Sequence, residues 1–280
     1  MPVFVFPGQG SQFPGMGLEL FDEFPEIVRE AEAVLGYSVR EVCVEPGGAR
    51  LAQTRYAQPA IYAVNVLTYL RFQRRSAVRP SYLLGHSLGE YCALFAAGVV
   101  DFATGLRLVA LRGALMAEAE DGAMAAVVGL TAEQVEATAA TWPGGGLWVA
   151  NLNTPDQVVI SGGVEPVRAA REHFLAAGAT RYVVLPVSGA FHSPLMATAQ
   201  AGFAAVLADA PLHALRIPVV ANLTGAPHTD AGLRDSLAAQ ICGPVRWADS
   251  IRLLLDRGET RFIETGARRV LTPMIEKIAS

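Results

Sequence analysis

The chain has 280 residues, 52% of them hydrophobic and 17% charged, with a formal net charge of −4. That length and apolar content allow a sizeable buried core, in one large domain or in one large and one small. The acidic balance gives no footprint for nucleic acid, and no uninterrupted apolar stretch of about 20 residues marks a membrane span.

The first element is the apolar run Val3-Phe4-Val5-Phe6, which stops at Pro7-Gly8 and reads as a buried parallel strand. Helical patterns follow over 18–35 and 59–72. Tyr82-Leu83-Leu84 then reads as a strand, Gly85 to Gly89 as a sharp turn, and Glu90 onward as an Ala-rich buried helix. A further helix is predicted over 102–119. This alternation predicts an α/β core with a parallel sheet.

The middle changes character. Residues 123–130 read as a strand, and Thr131 with Gln134 has capping-box spacing for a helix to about 141. Strands over 147–151 and 157–161 flank an Asn153-Thr154-Pro155-Asp156 turn. A helix over 165–177 closes at Gly178, and a strand follows over 181–187. The order β-α-β-β-α-β is ferredoxin-like. The expected organisation is therefore a large α/β-hydrolase-like domain (1–121 and 188–280) with a small ferredoxin-like domain inserted at 122–187. Strands over 217–221 and 261–264 belong to the large domain.

Three motifs carry chemistry. Gly85-His86-Ser87-Leu88-Gly89 matches G-x-S-x-G, a turn that aims a serine hydroxyl outward with free N–H groups and a helix dipole beneath it. A serine needs a base. Among the five histidines, His173 reads as a solvated helix residue, and His213 and His228 as surface residues in polar, Pro-containing connections. His86 is placed to point away from its neighbour Ser87. His192, in Gly189-Ala190-Phe191-His192-Ser193, lies at a junction where clefts form, although an isolated histidine in an apolar segment can equally be a satisfied core residue. Gly8-Gln9-Gly10-Ser11-Gln12 ends the first strand and exposes N–H groups at the carboxyl edge of the sheet, without the lysine of a P-loop or G-x-G-x-x-G spacing.

Taken together and in this order, the GQGSQ turn, the GHSLGE elbow and the GAFHS segment resemble the malonyl-CoA:acyl carrier protein transacylase family. Tyr56-Ala57-Gln58-Pro59-Ala60, Leu111-Arg112-Gly113 and Pro244-Val245-Arg246-Trp247 extend the likeness over nearly the whole chain. The stretch from 35–38 through 91–98 is especially similar to the discrete acyltransferases that serve modular polyketide synthases in trans.

The resemblance implies Ser87 as nucleophile and His192 as general base, the histidine being oriented by the backbone carbonyl of Gln240. It further implies an oxyanion hole from the N–H groups of Gln9 and Leu88, Arg112 as the grip on the malonyl carboxylate, and Phe191 as a residue favouring malonyl over methylmalonyl. The implied substrates are malonyl-CoA, a coenzyme A thioester, and a phosphopantetheinylated acyl carrier protein, in polyketide or fatty-acid synthesis, with no bound cofactor. The sequence departs from the family pattern at Gly266-Ala267-Arg268-Arg269, where Gly-Pro-Gly-Lys is usual, and at Gly243-Pro244-Val245, where Asn-Pro-Val is usual.

Three other readings compete: an acyl hydrolase of the same fold, a non-catalytic carrier-binding module, and a lipase-like esterase. Arg112 argues against the first, the intact serine and histidine against the second, and the lack of a convincing acidic partner between them in sequence against the third. Cys43, Cys92 and Cys242 show no paired spacing, which fits a reducing compartment, and no Cys/His cluster has zinc-ligand spacing. The N-terminal apolar run is too short and uncharged for a signal peptide, so the expected location is cytoplasmic, with no membrane or nucleic-acid partner.

Overall fold

A computed structural model describes residues 1–119 and 121–280. Among the described residues, eight strands form two four-stranded sheets. They are β1 (Val3–Phe6), β2 (Tyr82–Gly85), β3 (Gly122–Val128), β4 (Leu147–Thr154), β5 (Gln157–Gly163), β6 (Arg181–Val184), β7 (Val219–Val220) and β8 (Phe262–Glu264).

The first sheet has the order β7-β2-β1-β8, with every pairing parallel. Strands β1, β2 and β7 are apolar on both faces because helices cover both, as parallel sheets require, whereas the edge strand β8 is half-buried. Phe4, Phe6 and Leu83 join the larger core, while Val3, Val5, Leu84 and Val220 join a second cluster around Trp247. This alternation is the two-residue period of a strand.

The second sheet is antiparallel, in the order β4-β5-β3-β6. It has the ferredoxin-like arrangement, and the α/β class with a parallel sheet plus this antiparallel sheet is what the sequence predicts. Ala123, Ala125, Val127, Val158 and Ile160 pack on one face with Val135, Val167 and Phe174. Met124, Ala126 and Val159 face the other way, into the larger core. The helix Ala132–Ala140 carries the full capping box between Thr131 and Gln134.

Element boundaries differ from the sequence reading in several places. The helical pattern over 18–35 breaks into Leu18–Glu23 and Pro25–Leu35. Phe24 precedes a proline, which disfavours helical backbone there. The helix expected from 59 begins earlier and spans Thr54–Arg75, with Pro59 inside it. Its burial along most of its length outweighs the lost hydrogen bond. The helix over 165–177 is two short helices, Val164–Ala169 and Arg171–Ala176. Strand β4 runs on to Thr154, which shortens the turn to Pro155-Asp156. Strand β7 keeps only two residues of the run over 217–221, since Pro218 lacks a ladder donor.

A backbone seam ties β4 to the segment at Val245. Val245 N donates to Ala150 O at 2.8 Å, and Leu152 N donates to Val245 O at 2.9 Å. No helix among the described residues is long and apolar enough to cross a membrane.

Candidate active site

The elbow follows directly from β2. Ser87 has φ 52°, a left-handed conformation costly for a residue with a Cβ. Its carbonyl accepts from Glu90 N at 3.1 Å, and the helix Gly89–Ala96 begins at once. A Cβ on Gly89 would lie 2.1 Å from Phe6 O, so only glycine lets this helix start against the end of β1.

Asn222, just past β7, holds the turn from the side. Ser87 N donates to Asn222 Oδ1 at 2.6 Å, and Asn222 Nδ2 donates to Gly85 O at 2.6 Å. No hydrogen-bond acceptor engages the N–H groups of Leu88 or Gln9 among the described residues. The Gln9 side chain is tied elsewhere, donating through Nε2 to Thr54 Oγ1 at 3.1 Å.

His192 stands across the cleft, and it too has left-handed backbone, φ 58°. Its Nε2 lies 2.8 Å from Ser87 Oγ. Its Nδ1 lies 2.9 Å from Gln240 O and 3.1 Å from Gly243 O. Carbonyl oxygens only accept, so Nδ1 carries the proton and Nε2 presents its lone pair to the hydroxyl. Burial, then the nearby positive charge of Arg112, holds the imidazole pKa down at about 3. The imidazole is therefore neutral at ordinary pH.

Arg112 comes from the helix Phe102–Glu118, which packs along Thr54–Arg75. Gly113 opens this contact, because a Cβ there would sit 3.1 Å from Thr54 O. The guanidinium is fully buried. Nη1 donates to Gln58 Oε1 at 2.8 Å, and Nη2 donates both to Gln240 Oε1 at 2.9 Å and to Ser87 Oγ at 3.0 Å. Nε has no partner among the described residues. Among the described residues no carboxylate pairs with the guanidinium directly, which leaves a buried cation able to take an anionic ligand.

Ser87, His192 and Gln58 line a cleft of about 320 Å³ between the two sheets, with the buried Arg112 behind Ser87. Met124, Ala126 and Val159 make an apolar wall from the second sheet, and Phe191 closes the side next to His192. His86, behind the serine, lies with Nε2 2.9 Å from Asn153 Oδ1.

The structure thus gathers Ser87, His192, Arg112, Gln240 and Phe191 at one place, with the Gln9 and Leu88 turns lining the same cleft. The sequence reading of His228 needs correction. It is not a surface residue: its side chain is 1% exposed, and Nε2 lies 2.5 Å from the equally buried Glu90 Oε1. Polar, Pro-containing flanks suggest exposure, but the segment folds back along β7, with His228 N bonded to Val219 O. His173 is partly buried, with Nε2 3.0 Å from Thr138 O. Asn222, Glu90 and Gln58 were not singled out from the sequence. Only their neighbourhood was readable, Glu90 as the last residue of GHSLGE and Gln58 inside Tyr56–Ala60. The departing turn at Gly266 packs against Pro7, and Arg268 donates to Gly10 O, which ties it to the GQGSQ turn.

Comparison with known proteins gives this arrangement a family. The chain belongs to the acyl transferase domain family, which it matches over residues 3–279. It is 47% identical over 279 residues to the polyketide biosynthesis malonyl CoA-acyl carrier protein transacylase BaeC of Bacillus velezensis, covering 99% of this chain and 96% of BaeC. It is 48% identical over 278 residues to the polyketide biosynthesis protein ThaF of Burkholderia thailandensis; there it covers 99% of this chain but spans only 24% of ThaF. A crystal structure of a malonyl CoA-acyl carrier protein transacylase from Burkholderia pseudomallei superposes with TM-score 0.95 at 45% identity, covering 100% of this chain and 98% of that one. The branch of the family in which the chain falls is that of the malonyl CoA-acyl carrier protein transacylases.

Proposed function

We propose that this protein transfers a malonyl group from coenzyme A to the phosphopantetheine thiol of an acyl carrier protein, through an ester on Ser87. The observation that carries this reading is the position of Ser87 Oγ, 2.8 Å from a neutral imidazole nitrogen and 3.0 Å from a buried guanidinium nitrogen.

His192 Nε2 takes the proton from Ser87 Oγ as the oxygen attacks the thioester carbonyl. The electron pair moves onto the carbonyl oxygen, which the N–H groups of Gln9 and Leu88 face as an oxyanion hole. One such donor is worth roughly 3–4 kcal/mol in the barrier. The intermediate collapses, the C–S bond breaks, and the imidazolium returns its proton to the coenzyme A sulfur. The carrier thiol then gives its proton to His192 and attacks the ester. Ser87 leaves and is reprotonated. The Gln240 and Gly243 carbonyls hold the imidazole through both halves, in the place a carboxylate occupies in other triads.

Arg112 fits the malonyl carboxylate, since a planar fork can donate two parallel hydrogen bonds to it. The same residue favours transfer over the alternative reading, hydrolysis of stalled acyl groups, because an uncharged acyl chain leaves the buried guanidinium unpaired. Phe191 narrows the space near the acyl α-carbon. The likeness to BaeC supports a polyketide synthase carrier as acceptor, with a fatty-acid carrier as the second reading. A large α/β body (1–121 and 188–280) holding Ser87, Arg112 and His192, with 122–187 as the cleft's opposite wall, suits this division of labour. An aqueous cytoplasmic setting suits the substrates.

The test is incubation with labelled malonyl-CoA followed by peptide mapping. Label on the Ser87 peptide that passes to added holo carrier protein supports the reading. Label retained in Ser87→Ala, or none in the wild type, overturns it.

A further inference from the structure

Behind the site lies a buried network that the proposed chemistry does not itself require. Glu90, on the first turn of the elbow helix, is 1% exposed. Oε1 accepts from His228 Nε2 at 2.5 Å. Oε2 accepts from Gln240 Nε2 at 2.6 Å and from Asn222 N at 3.2 Å. The carboxylate is thus ringed by donors.

We propose that Glu90, backed by His228, is a positioning residue that fixes the orientation of Arg112 through the side-chain amide of Gln240, and so sets the preference for a carboxylated acyl group. The inference rests on the reading that Arg112 receives the malonyl carboxylate.

The reasoning starts from the symmetry of an amide. Its NH₂ and oxygen ends have nearly the same shape, so packing alone does not choose between them. A carboxylate only accepts, so Glu90 demands the NH₂ end of Gln240. The second hydrogen on that nitrogen goes to Ser87 O at 3.1 Å. The oxygen end is thereby turned toward Arg112 Nη2, 2.9 Å away. In the reverse orientation the NH₂ group would face the guanidinium, donor against donor, between two fully buried side chains. Glu90 therefore acts on Arg112 without touching it. Glu90 also holds Asn222, which grips the elbow through Ser87 N and Gly85 O. Its loss has two separable effects: a general one on the nucleophile, common to every acyl group, and a selective one on the carboxylate grip.

The selective effect is read from a ratio. Ser87 acylation by malonyl-CoA and by acetyl-CoA is timed by rapid quench and intact-protein mass spectrometry in the wild type, Glu90→Gln, Arg112→Ala and the double variant. Glu90→Gln is expected to lower the malonyl-to-acetyl ratio of kcat/KM by about tenfold, the scale of coupling within one hydrogen-bond network. The change falls mainly on KM for malonyl-CoA. Adding it to Arg112→Ala lowers the ratio no further. An unchanged ratio in Glu90→Gln, with both rates reduced alike, overturns the inference. If Glu90→Gln does not fold, His228→Ala carries the test, with a smaller fall expected and an unchanged ratio overturning it. A wild type with no malonyl preference, or one whose preference survives Arg112→Ala, refutes the reading of Arg112 itself and is thereby distinguished from failure of the Glu90 step.

Discussion

Gly8 and His86 touch backbone to backbone: a Cβ on Gly8 would lie 2.3 Å from the His86 carbonyl oxygen. This contact couples the GQGSQ turn to the serine elbow and sets where the free N–H of Gln9 sits. Gly8→Ala is expected to push the two turns apart. Acylation falls by a hundredfold or more, roughly the value of one misplaced oxyanion donor. A melting curve alongside the acylation assay separates displacement from unfolding.

The strained backbone of Ser87 gives a stability prediction. Ser87→Ala keeps the left-handed φ of 52° and a Cβ, whereas Ser87→Gly removes the Cβ. Both abolish acylation. Ser87→Gly is expected to be more stable than Ser87→Ala by roughly 1 kcal/mol, as left-handed positions favour glycine. Chemical denaturation of the two inactive variants measures the difference.

Replacing Arg112 by Ala should cost malonyl transfer about 2–5 kcal/mol, the usual penalty for leaving one member of a buried charge pair alone. Acetyl transfer should fall much less. Parallel kcat/KM measurements with the two thioesters give the answer, and equal losses would assign Arg112 to structure only.

The depressed pKa of His192 predicts an unusual acid limb. With a pKa of about 3, the imidazole stays neutral through mild acid. Acylation should hardly change between about pH 7.5 and 5.5, where an imidazole with the ordinary value of about 6.5 would lose nearly tenfold of its basic form. For stability, the folded pKa is below the unfolded one. Between about pH 6.5 and 3 the unfolded chain binds the extra proton, so stability is present above this window and is lost as pH falls through it. Burial pushes His86 in the same direction. Acylation rates and denaturation midpoints across this range test both statements.

Phe191→Ser should widen the space beside the acyl α-carbon. One extra methyl is worth about 1–3 kcal/mol, so the methylmalonyl-to-malonyl ratio should rise by about tenfold or more. Competition between the two thioesters reads it.

The parts of this site visible in the sequence are those encoded by local sterics. Gly85 and Gly89 bracket Ser87 within one turn, and Thr131 with Gln134 announces a helix start that the structure carries in full. Strands β1, β2 and β7 of the first sheet show as short apolar runs because they are buried on both faces. Glu90, His228 and Asn222 are different. Their contacts span 132 and 138 positions, and no local pattern signals a partner so far away. Proline and polar residues beside His228 suggested exposure, although a loop that returns along a strand can bury one imidazole and leave its neighbours wet. The break at Ala170 escaped for the opposite reason: the apolar period runs on while the backbone bends.

Arg112 Nη2 donates to the same Ser87 hydroxyl that is proposed to carry the acyl group, while Nε has no partner among the described residues. On the proposed mechanism the ester oxygen formed there would be a poor acceptor, and the malonyl carboxylate would take over that hydrogen bond. The serine would then serve as a placeholder for its own cargo, with the cation passed from one oxygen to another while Gln58 and Gln240 keep hold of it. A neutral acyl group breaks this handover after the bond has formed, so discrimination should show not only in how fast Ser87 is loaded but in how long the wrong ester survives.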